Sequence, residues 1–457
     1  MTHFLPEHRV DVVEETSSAR EDRITCGIGE HLRFDTAGIE TYCVAGWNAT
    51  AYDACVVGAA VQFCDHTKRR RSTDWGRDIA LRVPVHDPDL WRSTSVSDAL
   101  HDALSFLTGD RWRIDFARRK KHFASPREAP FDFPSSCIVM PFSDGLDSHL
   151  AAGLLQRKHG NALVRVRLGS KASPRGQSPT SPSRAFASVP WRVSYGKSGS
   201  VESSARSRGF RFALLSGIAA FLCGSRRIVL PESGQGALGP SLAPVGQAYP
   251  DVRNHPRFTA KMEGLIWTLF GHEIQYEYPH LWRTKGQTLS TFLESCPVDA
   301  DWADTRSCWQ GPRQVSVSGS LRQCGICAAC LLRRMSVHAA GTCEAPETYV
   351  WENLSATRFE DGAAPAFTHG EPTGALHEYA IAGVLHLDHL ANLRRSPSST
   401  AAIGRQAYLL DRSLGLDERD TQTKLEGMLQ RHEVEWRDFI DSLGPRSFVA
   451  QWIARGH

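Results

Sequence analysis

The segment Ser143-Asp-Gly-Leu-Asp-Ser148 combines small and acidic residues that could hold a phosphate group. Apolar residues at 138–142 predict a buried strand before this segment, and the apolar pattern from Leu150 to Leu155 predicts a helix after it. The segment is therefore expected at a helix N-terminus, where unbonded backbone N–H groups and the helix dipole attract anions. We interpret it as a nucleotide-binding loop, although such turns are also plain connections in α/β proteins.

A group of cysteines forms the second pattern with chemical potential. The segment Cys324-Gly-Ile-Cys327-Ala-Ala-Cys330 contains two overlapping Cys-x-x-Cys steps, and Cys308 lies upstream of it. Four thiolates complete a tetrahedral shell around Zn²⁺ and leave no open position for catalysis, so we predict a structural zinc site. An iron–sulfur cluster would accept the same thiols, and a redox dithiol would need one pair of them.

The remaining cysteines occur singly, and isolated cysteines most often act as small buried apolar residues. The chain contains 12 cysteines but shows no signal-peptide core, which favours thiols and metal ligands over disulfides. No apolar run approaches the roughly 20 residues that span a bilayer. We therefore expect a cytoplasmic protein that does not contact a membrane.

The bulk composition is that of an ordinary globular protein. With 457 residues, the chain is expected to fold as two or three domains. The formal net charge of +3 is small, which argues against nucleic acid as a partner, although Lys68–Arg71 and Arg118–Lys121 are basic runs.

Residues 1–125 are predicted to form a small α+β domain. Alternating apolar residues at 81–85 and 112–116 indicate half-buried strands, and apolar spacing over 100–107 indicates a helix between them. The predicted helix cap is Ser95 or Ser97, and the predicted stop is Gly109.

Residues 126–340 are predicted to be a doubly wound α/β domain. Strands are expected at 162–168, 189–194 and 226–230, with a long helix over 206–223. Such an alternation of strands and helices is typical of a parallel sheet. Ligands of these sheets bind beyond the carboxyl ends of strands, so we expect the Ser143 loop and the turn at Glu232 to share a site.

Residues 341–457 are predicted to be a mainly helical extension. From about Gly374 the composition favours helices, and apolar residues between Leu425 and Leu443 recur at helical spacing. This pattern predicts a core-facing stripe, and the helices would serve as a cap or as an oligomerisation element.

Taken together, the loop and the cysteines resemble one family. Ser143–Ser148 is similar to the Ser-Gly-Gly-x-Asp-Ser signature of the PP-loop ATP pyrophosphatases, which bind the pyrophosphate of ATP and adenylate their substrates. Three segments resemble the C-terminal half of 7-cyano-7-deazaguanine synthase (QueC), a family with a four-cysteine zinc site. These segments are Thr284-Lys-Gly286, Ser307-Cys-Trp309 and Cys324–Arg333. Tyr249–Pro256 and Arg208 resemble its substrate region, and the similarity covers residues 137–337.

The chain is longer than the biosynthetic enzymes of this family. Its extended layout, with Pro231-Glu-Ser-Gly234 and the C-terminal helices, is most similar to QatC, the QueC-like component of the Qat antiphage defence system. Asp144 stands where the family has its first glycine, and aspartate tolerates a left-handed backbone better than most residues. The interval between Cys308 and Cys324 is also longer here. Cys296 and Cys343 are the reserve candidates for the fourth ligand.

The resemblance implies an ATP-dependent, AMP-forming C–N ligase with ATP, Mg²⁺ and Zn²⁺ as cofactors. It would adenylate the carboxylate of 7-carboxy-7-deazaguanine, a small-molecule substrate, and transfer the acyl group to an amine. Asp147 would position Mg²⁺, and Lys285 or Arg208 would offset charge at the α-phosphate. The implied ATP-binding residues are Ser143, Asp144, Gly145, Leu146, Asp147 and Ser148. The implied zinc ligands are Cys308, Cys324, Cys327 and Cys330.

The acceptor amine stays open. Ammonia would make the protein a 7-cyano-7-deazaguanine synthase, whereas a protein amine would make it a protein-modifying ligase with a partner from the same defence system. Two other functions compete with these. One is a catalytically weak ATP-binding scaffold, suggested by Asp144, and the other is a tRNA-modifying adenylase, against which the net charge of +3 argues.

Overall fold

The computed structural model describes residues 8–14, 22–34, 48–71, 76–120, 137–168, 189, 191–196, 199–246, 248–296, 301–311, 314–367, 374–395 and 397–456. The chain divides into two compact units. Unit 1 comprises Met1–Ser143, Leu155–Leu230 and Arg253–Glu277, and unit 2 comprises Asp144–Leu154, Pro231–Val252 and Tyr278–His457. The predicted domain limits at residues 125 and 340 stay predictions, and the first of them lies outside the described residues.

The described residues form short strands and mostly longer helices. The strands are β1 (His8–Val13), β2 (Ile24–Gly27), β3 (Leu32–Phe34), β4 (Asp78–Val85), β5 (Arg111–Arg118), β6 (Ile138–Pro141), β7 (Leu163–Val166), β8 (Trp191–Val193), β9 (Arg227–Val229), β10 (Gln275–Glu277), β11 (Ser316–Val317) and β12 (Ser320–Leu321). The helices are α1 (Ala49–Thr67), α2 (Pro88–Arg92), α3 (Thr94–Thr108), α4 (Leu146–His159), α5 (Arg208–Leu222), α6 (Gly234–Leu242), α7 (Pro256–Phe270), α8 (Lys285–Ser295), α9 (Ala328–Ala339), α10 (Gly374–Asn392), α11 (Pro397–Leu414), α12 (Glu418–Leu443) and α13 (Phe448–Gly456). Within the described ranges, none of these helices is both long and apolar enough to cross a membrane.

The first parallel sheet belongs to unit 1 and has the strand order β2-β1-β4-β5. All of its strand pairs run parallel, and Leu81 of β4 lies opposite Ile114 of β5. Parallel neighbours need crossover connections, and α1 precedes β4 while α2 and α3 connect β4 to β5. The N-terminal region is therefore α/β, which corrects the predicted α+β class. The strands predicted from residues 81–85 and 112–116 are confirmed as β4 and β5.

The sequence pattern predicted one of the two longer helices of this region, α3, but not the other, α1. Helix α1 was not predicted, because residues 51–65 are all buried and no polar stripe marks one face. Helix α3 begins after Ser93, two residues before the first predicted cap. Its stop at Gly109 is confirmed, with a left-handed φ of 71° that glycine adopts without strain.

The second parallel sheet, also in unit 1, has the strand order β10-β9-β6-β7. The direction of the strand order reverses between β6 and β9, which is the topological switch point where α/β sheets bind ligands. The strands predicted at 162–168 and 226–230 are confirmed as β7 and β9. The strand predicted at 189–194 is β8, but it pairs antiparallel with β3 and lies outside the parallel sheet.

Unit 2 is mainly helical and is held by apolar clusters. One cluster joins α9, α10, α12 and α13 around Trp436, and another joins α6, α10, α11 and α12 around Leu429. A third packs the start of α4 on α8, with Leu150 and Phe292 both fully buried. The predicted C-terminal helices and their core-facing stripe are confirmed. The buried members of the stripe are Leu425, Met428, Leu429, Trp436 and Phe439.

Gly383 lies where α10 packs closely on the segment before α9. A Cβ atom at this position would lie 2.8 Å from Ala328 N and 3.1 Å from Ile326 O, which are backbone atoms. We predict that Gly383→Ala lowers the free energy of unfolding by about 1–3 kcal/mol. The control Gly404→Ala in α11, whose Cβ would meet no atom within 4 Å, should be neutral or stabilising by about 0.5–1 kcal/mol. Thermal unfolding measures both variants, and equal melting temperatures would contradict the packing argument.

Candidate functional site

An ion pair between Lys285 and Asp147 is the centre of the candidate site and lies within unit 2. Lys285 is the first residue of α8, and Asp147 lies in the first turn of α4. The Nζ and Oδ2 atoms are 2.6 Å apart, and the two side chains are only 6% and 13% exposed. The structure therefore brings together two of the three predicted catalytic residues.

The charge of Lys285 depends on its carboxylate neighbours. Burial disfavours the ammonium form, but the carboxylates of Asp147 and Glu232 outweigh this effect and raise the pKa of Lys285. Glu232 belongs to the turn that follows β9, and Asp147 lies in the first turn of α4, after the loop that follows β6. The Ser143–Ser148 segment and the turn at Glu232, which were expected to share a site, thus each place a carboxylate near one ammonium group.

A neutral histidine lies beside this pair. Burial and the charge of Arg283 lower the pKa of His280 to about 4, against the opposing effect of Asp147. The imidazole is therefore uncharged at neutral pH. The backbone oxygen of His280 accepts a hydrogen bond from Gly234 N at 3.2 Å, at the start of α6. A Cβ atom on Gly234 would lie 2.2 Å from Leu281 O, so this close approach requires glycine.

Hydrogen bonds at the N-terminus of α8 hold the backbone around Lys285. Thr284 Oγ1 accepts a hydrogen bond from Gln287 N at 3.1 Å, and Gln287 Oε1 accepts one from Thr284 N at 3.2 Å. This reciprocal arrangement is a capping box. Lys285 N in turn donates to Gln235 Oε1 of α6 at 2.8 Å.

Two residues of α12 extend this network, and the sequence analysis missed both. Gln235 Nε2 donates to His432 Nδ1 at 2.9 Å, and Glu435 accepts a hydrogen bond from Thr284 Oγ1. Burial raises the pKa of Glu435 to about 7, against hydrogen bonds from Thr284 and Gln235. The sequence does contain a signal for both residues. His432 and Glu435 are polar but lie at or beside core-facing positions of the apolar stripe, near Leu429 and Trp436.

The predicted phosphate loop, residues 143–148, is anchored through its backbone. Asp144 O accepts a hydrogen bond from Arg306 N at 2.7 Å, and Gly145 O accepts one from His149 N at 3.1 Å. Asp144 is exposed, and neither Asp144 nor Gly145 is among the described residues with positive φ. The position of the family glycine therefore needs no left-handed backbone in this chain. Ser143 and Gly145 are half-buried, and Leu146 and Ser148 are buried.

Arg208, the third predicted catalytic residue, lies in unit 1 as the first residue of α5. Its side chain is exposed, and its guanidinium carbon is 5.7 Å from the centre of the Phe212 ring. Because the Lys285 centre belongs to unit 2, the role of Arg208 at the α-phosphate stays a prediction.

The four predicted zinc ligands lie together in unit 2. The sulfur atoms of Cys308, Cys324, Cys327 and Cys330 are all within 4.8 Å of one another. The sulfur atoms of Cys324 and Cys330 are 3.7 Å apart, which is too far for a disulfide. Two ligands at about 2.3 Å from a tetrahedral Zn²⁺ would be about 3.8 Å apart. Cys308 is thus the fourth sulfur, and the reserve candidates Cys296 and Cys343 lie outside the cluster.

Backbone N–H groups point at these sulfur atoms. Cys324 N donates to Cys308 Sγ at 3.2 Å, and Cys327 N donates to Cys324 Sγ at 3.3 Å. Hydrogen bonds from the other three thiols lower the pKa of Cys308 well below its usual value. The donor set, its spacing and its burial fit Zn²⁺, which these residues could bind with a closed ligand shell.

Residues 302–308, which end at Cys308, also contact the predicted phosphate loop, residues 143–148. Arg333 in α9 is fully buried, and its guanidinium donates to the carbonyl oxygens of Trp302, Ala303 and Thr305 over 2.8–3.3 Å. Glu344 balances its charge at 2.6 Å. Arg306 follows this segment and donates to Asp144 O, and Cys308 comes two residues later. One short segment therefore links the candidate metal centre to the loop.

Zinc content tests the cysteine cluster. Cys324→Ser removes one of four sulfur ligands, so we predict that bound zinc falls from about one per chain to a small fraction of that. Cys343→Ser changes an exposed cysteine outside the cluster and should retain its zinc. Elemental analysis of the purified proteins measures both. Iron in place of zinc would support an iron–sulfur cluster at these cysteines. Unchanged zinc content in Cys324→Ser would contradict a zinc site there.

Buried histidines predict acid sensitivity of unit 2. Burial lowers the pKa of His386 to about 4, whereas an unfolded histidine titrates near 6.5. Between these values the unfolded chain binds more protons, so stability falls as the pH falls through this window. The variant His386→Asn keeps a donor for Ala243 O but has no ring that takes up a proton. We predict that its free energy of unfolding falls by about 2 kcal/mol less than that of the wild type between pH 7.5 and pH 5. Thermal unfolding of the wild type and of this variant between pH 7.5 and pH 5 measures the two slopes, and equal slopes would contradict the role of His386.

Comparison with protein families identifies a related region. Residues 244–341 match the family described as queuosine biosynthesis protein QueC. This region contains Lys285 and all four clustered cysteines, but it is well under half of the chain. A search of curated proteins and a search of solved structures both return no significant match. Residues 244–341 are therefore QueC-like, in agreement with the resemblance of the Thr284-Lys-Gly286 and cysteine segments.

Proposed function

We propose that this chain is an ATP-dependent, AMP-forming ligase that activates the carboxylate of a 7-deazaguanine, such as 7-carboxy-7-deazaguanine, and transfers it to an amine. The observation that carries this proposal is the buried ion pair of Lys285 with Asp147 in a chain with a QueC-like region. An ammonium group held beside a phosphate-binding turn suits the negative charge that develops during transfer of a nucleotidyl group.

The first step would activate the carboxylate. A free carboxylate resists attack by an amine, because it is negatively charged and oxide is too poor a leaving group. A carboxylate oxygen of the substrate would attack the α-phosphorus of ATP, and pyrophosphate would leave as the new P–O bond forms. Lys285 would stabilise the charge on the phosphate oxygens, and residues 143–148 would bind pyrophosphate through N–H groups at the start of α4.

The metals would have different tasks. Mg²⁺ would neutralise the charge of the pyrophosphate group. This ion prefers oxygen ligands such as carboxylates. Asp147 would hold it, with Glu232 as the nearby second carboxylate that also acts on Lys285. Zn²⁺ bound by the four cysteines would be structural, because its ligand shell is closed.

The second step would form the C–N bond. The acceptor amine attacks the acyl carbon, the bond from this carbon to the bridging oxygen breaks, AMP leaves and the amine loses a proton to water. With ammonia the product is an amide, which a second activation converts to a nitrile. The extended layout, similar to QatC of the Qat antiphage system, favours an amine of a partner protein from the same system as the acceptor.

AMP formation tests this function. The purified protein is incubated with ATP, Mg²⁺ and 7-carboxy-7-deazaguanine, and hydroxylamine is added to trap the activated acyl group as a hydroxamate. We predict AMP formation that depends on the deazaguanine and that falls about 10²–10³-fold in Lys285→Met. The control Lys424→Met, at a side chain that is 41% exposed and pairs with Asp420, should keep the wild-type rate.

The other outcomes separate the competing functions. No AMP in any mixture, including mixtures with ammonia or with partner proteins, would exclude the ligase. ATP binding without turnover, unchanged by Asp147→Asn, would favour the scaffold function, for which Asp144 in the glycine position is the relevant observation. Mass spectrometry of co-expressed partner proteins identifies the acceptor, because a protein amine would gain the mass of a deazaguanine acyl group.

A further inference from the structure

Helix α12 reaches the Lys285 centre from outside the QueC-like region. It spans Glu418–Leu443, beyond the matched residues 244–341, and it belongs to unit 2 together with α6 and α8. His432 is fully buried on its core-facing side. A polar side chain in such a position costs free energy unless its polar atoms are hydrogen-bonded, so its partners carry information about its role.

His432 determines the orientation of the Gln235 amide. Burial lowers the pKa of His432 to about 4, so the ring is neutral and carries one N–H group. Nε2 donates to Leu387 O at 3.0 Å, which leaves Nδ1 as an acceptor for Gln235 Nε2 at 2.9 Å. The oxygen of the same amide must then point the other way, where it accepts from Lys285 N at 2.8 Å.

Glu435 acts on the residues that flank Lys285. It accepts a hydrogen bond from Thr284 Oγ1, the cap of α8. On the other side of Lys285, a Cβ atom on Gly286 would lie 3.1 Å from Glu435 Oε1, so the carboxylate lies against the first turn of the helix. The partial positive charge of the helix N-terminus favours the charged form of this group, against the burial that raises its pKa to about 7.

We infer that α12 is a positioning element of the ligase centre, in which His432 and Glu435 hold the backbone of Lys285 so that its ammonium group meets Asp147 and the nucleotide. This inference rests on the proposed ligase function. Both residues act through their hydrogen bonds with Gln235 and Thr284. Their effect on the rate can still be large, because a displacement of about 1 Å at a group that contacts reacting atoms can lower the rate about 10²-fold.

Kinetics of Glu435 variants distinguish positioning from packing. For full-length Glu435→Ala we predict that kcat for AMP formation falls at least tenfold, while KM for ATP changes less than twofold and zinc content is unchanged. Glu435→Gln should recover a large part of kcat, because its amide oxygen can still accept from Thr284 Oγ1. The control Glu426→Gln, on the same helix and bonded to Gln422, should keep the wild-type kcat.

A second substitution shows whether Glu435 acts through Lys285. In the Lys285→Met background, Glu435→Ala should cause no further loss of AMP formation, because the group that it positions is already absent. A further loss of the same size as in the wild-type background would overturn the inference. A loss of rate in Glu435→Ala that is matched by loss of zinc or by unfolding would also overturn it, since that result indicates a packing role.

Stability separates failure of this inference from failure of the ligase function. If the wild-type protein forms no AMP, the ligase function fails, and the melting temperatures of Lys285→Met, Glu435→Ala and the double variant decide the positioning question. Shifts in melting temperature that do not add would show that the two residues are coupled, as the inference requires. Shifts that add would overturn it.

Discussion

A lysine ammonium group loses its water when it is buried, and it is tolerated only where carboxylates and hydrogen bonds replace that water. Lys285 meets this condition through Asp147, at 2.6 Å, and through the nearby charge of Glu232. Removing one member of such a buried pair costs about 3–5 kcal/mol, because the other charge is left without compensation. The start of α4, the turn after β9 and the start of α8 must therefore meet in folded unit 2. Their meeting point is the candidate site, so the stability of unit 2 and the assembly of this site depend on the same contact.

The cysteine cluster supports this contact from another side. The buried guanidinium of Arg333 organises residues 301–308, a segment that ends at the clustered sulfur atom of Cys308 and has few apolar side chains of its own. Arg306 of this segment donates to Asp144 O at the start of the predicted phosphate loop. A structural zinc ion contributes folding free energy directly, since its ligands are brought together only in the folded chain. Zinc bound here would thus stabilise residues 143–148 through the backbone contact of Arg306 with Asp144. It would not bind a ligand itself, because its coordination shell is closed.

Features set by local spacing were predictable from the sequence, and features set by distant partners were not. Alternation identified β4 and β5, and Cys-x-x-Cys spacing identified the cluster, although Cys308 needed the structure to be chosen over Cys296 and Cys343. The pairing of β8 with β3 could not be predicted, because a three-residue strand carries no signal about its partner. His432 and Glu435 were missed for the same reason, since their partners Gln235 and Thr284 are 197 and 151 residues away.

Departures from an apolar pattern nevertheless hold information that family matching does not. Along α12 the buried positions run through Leu425, Leu429 and Trp436, and His432 interrupts them. A buried polar side chain must find a polar partner, so the interruption itself predicts a contact with another polar group. In this chain that partner is Gln235, which in turn accepts from Lys285 N. The QueC-like match ends at residue 341 and contains Lys285, whereas Asp147, Gln235, His432 and Glu435 lie outside it. The environment of the lysine is therefore assembled from segments on both sides of the match, and the extension belongs to the same compact unit as the residues that it supports.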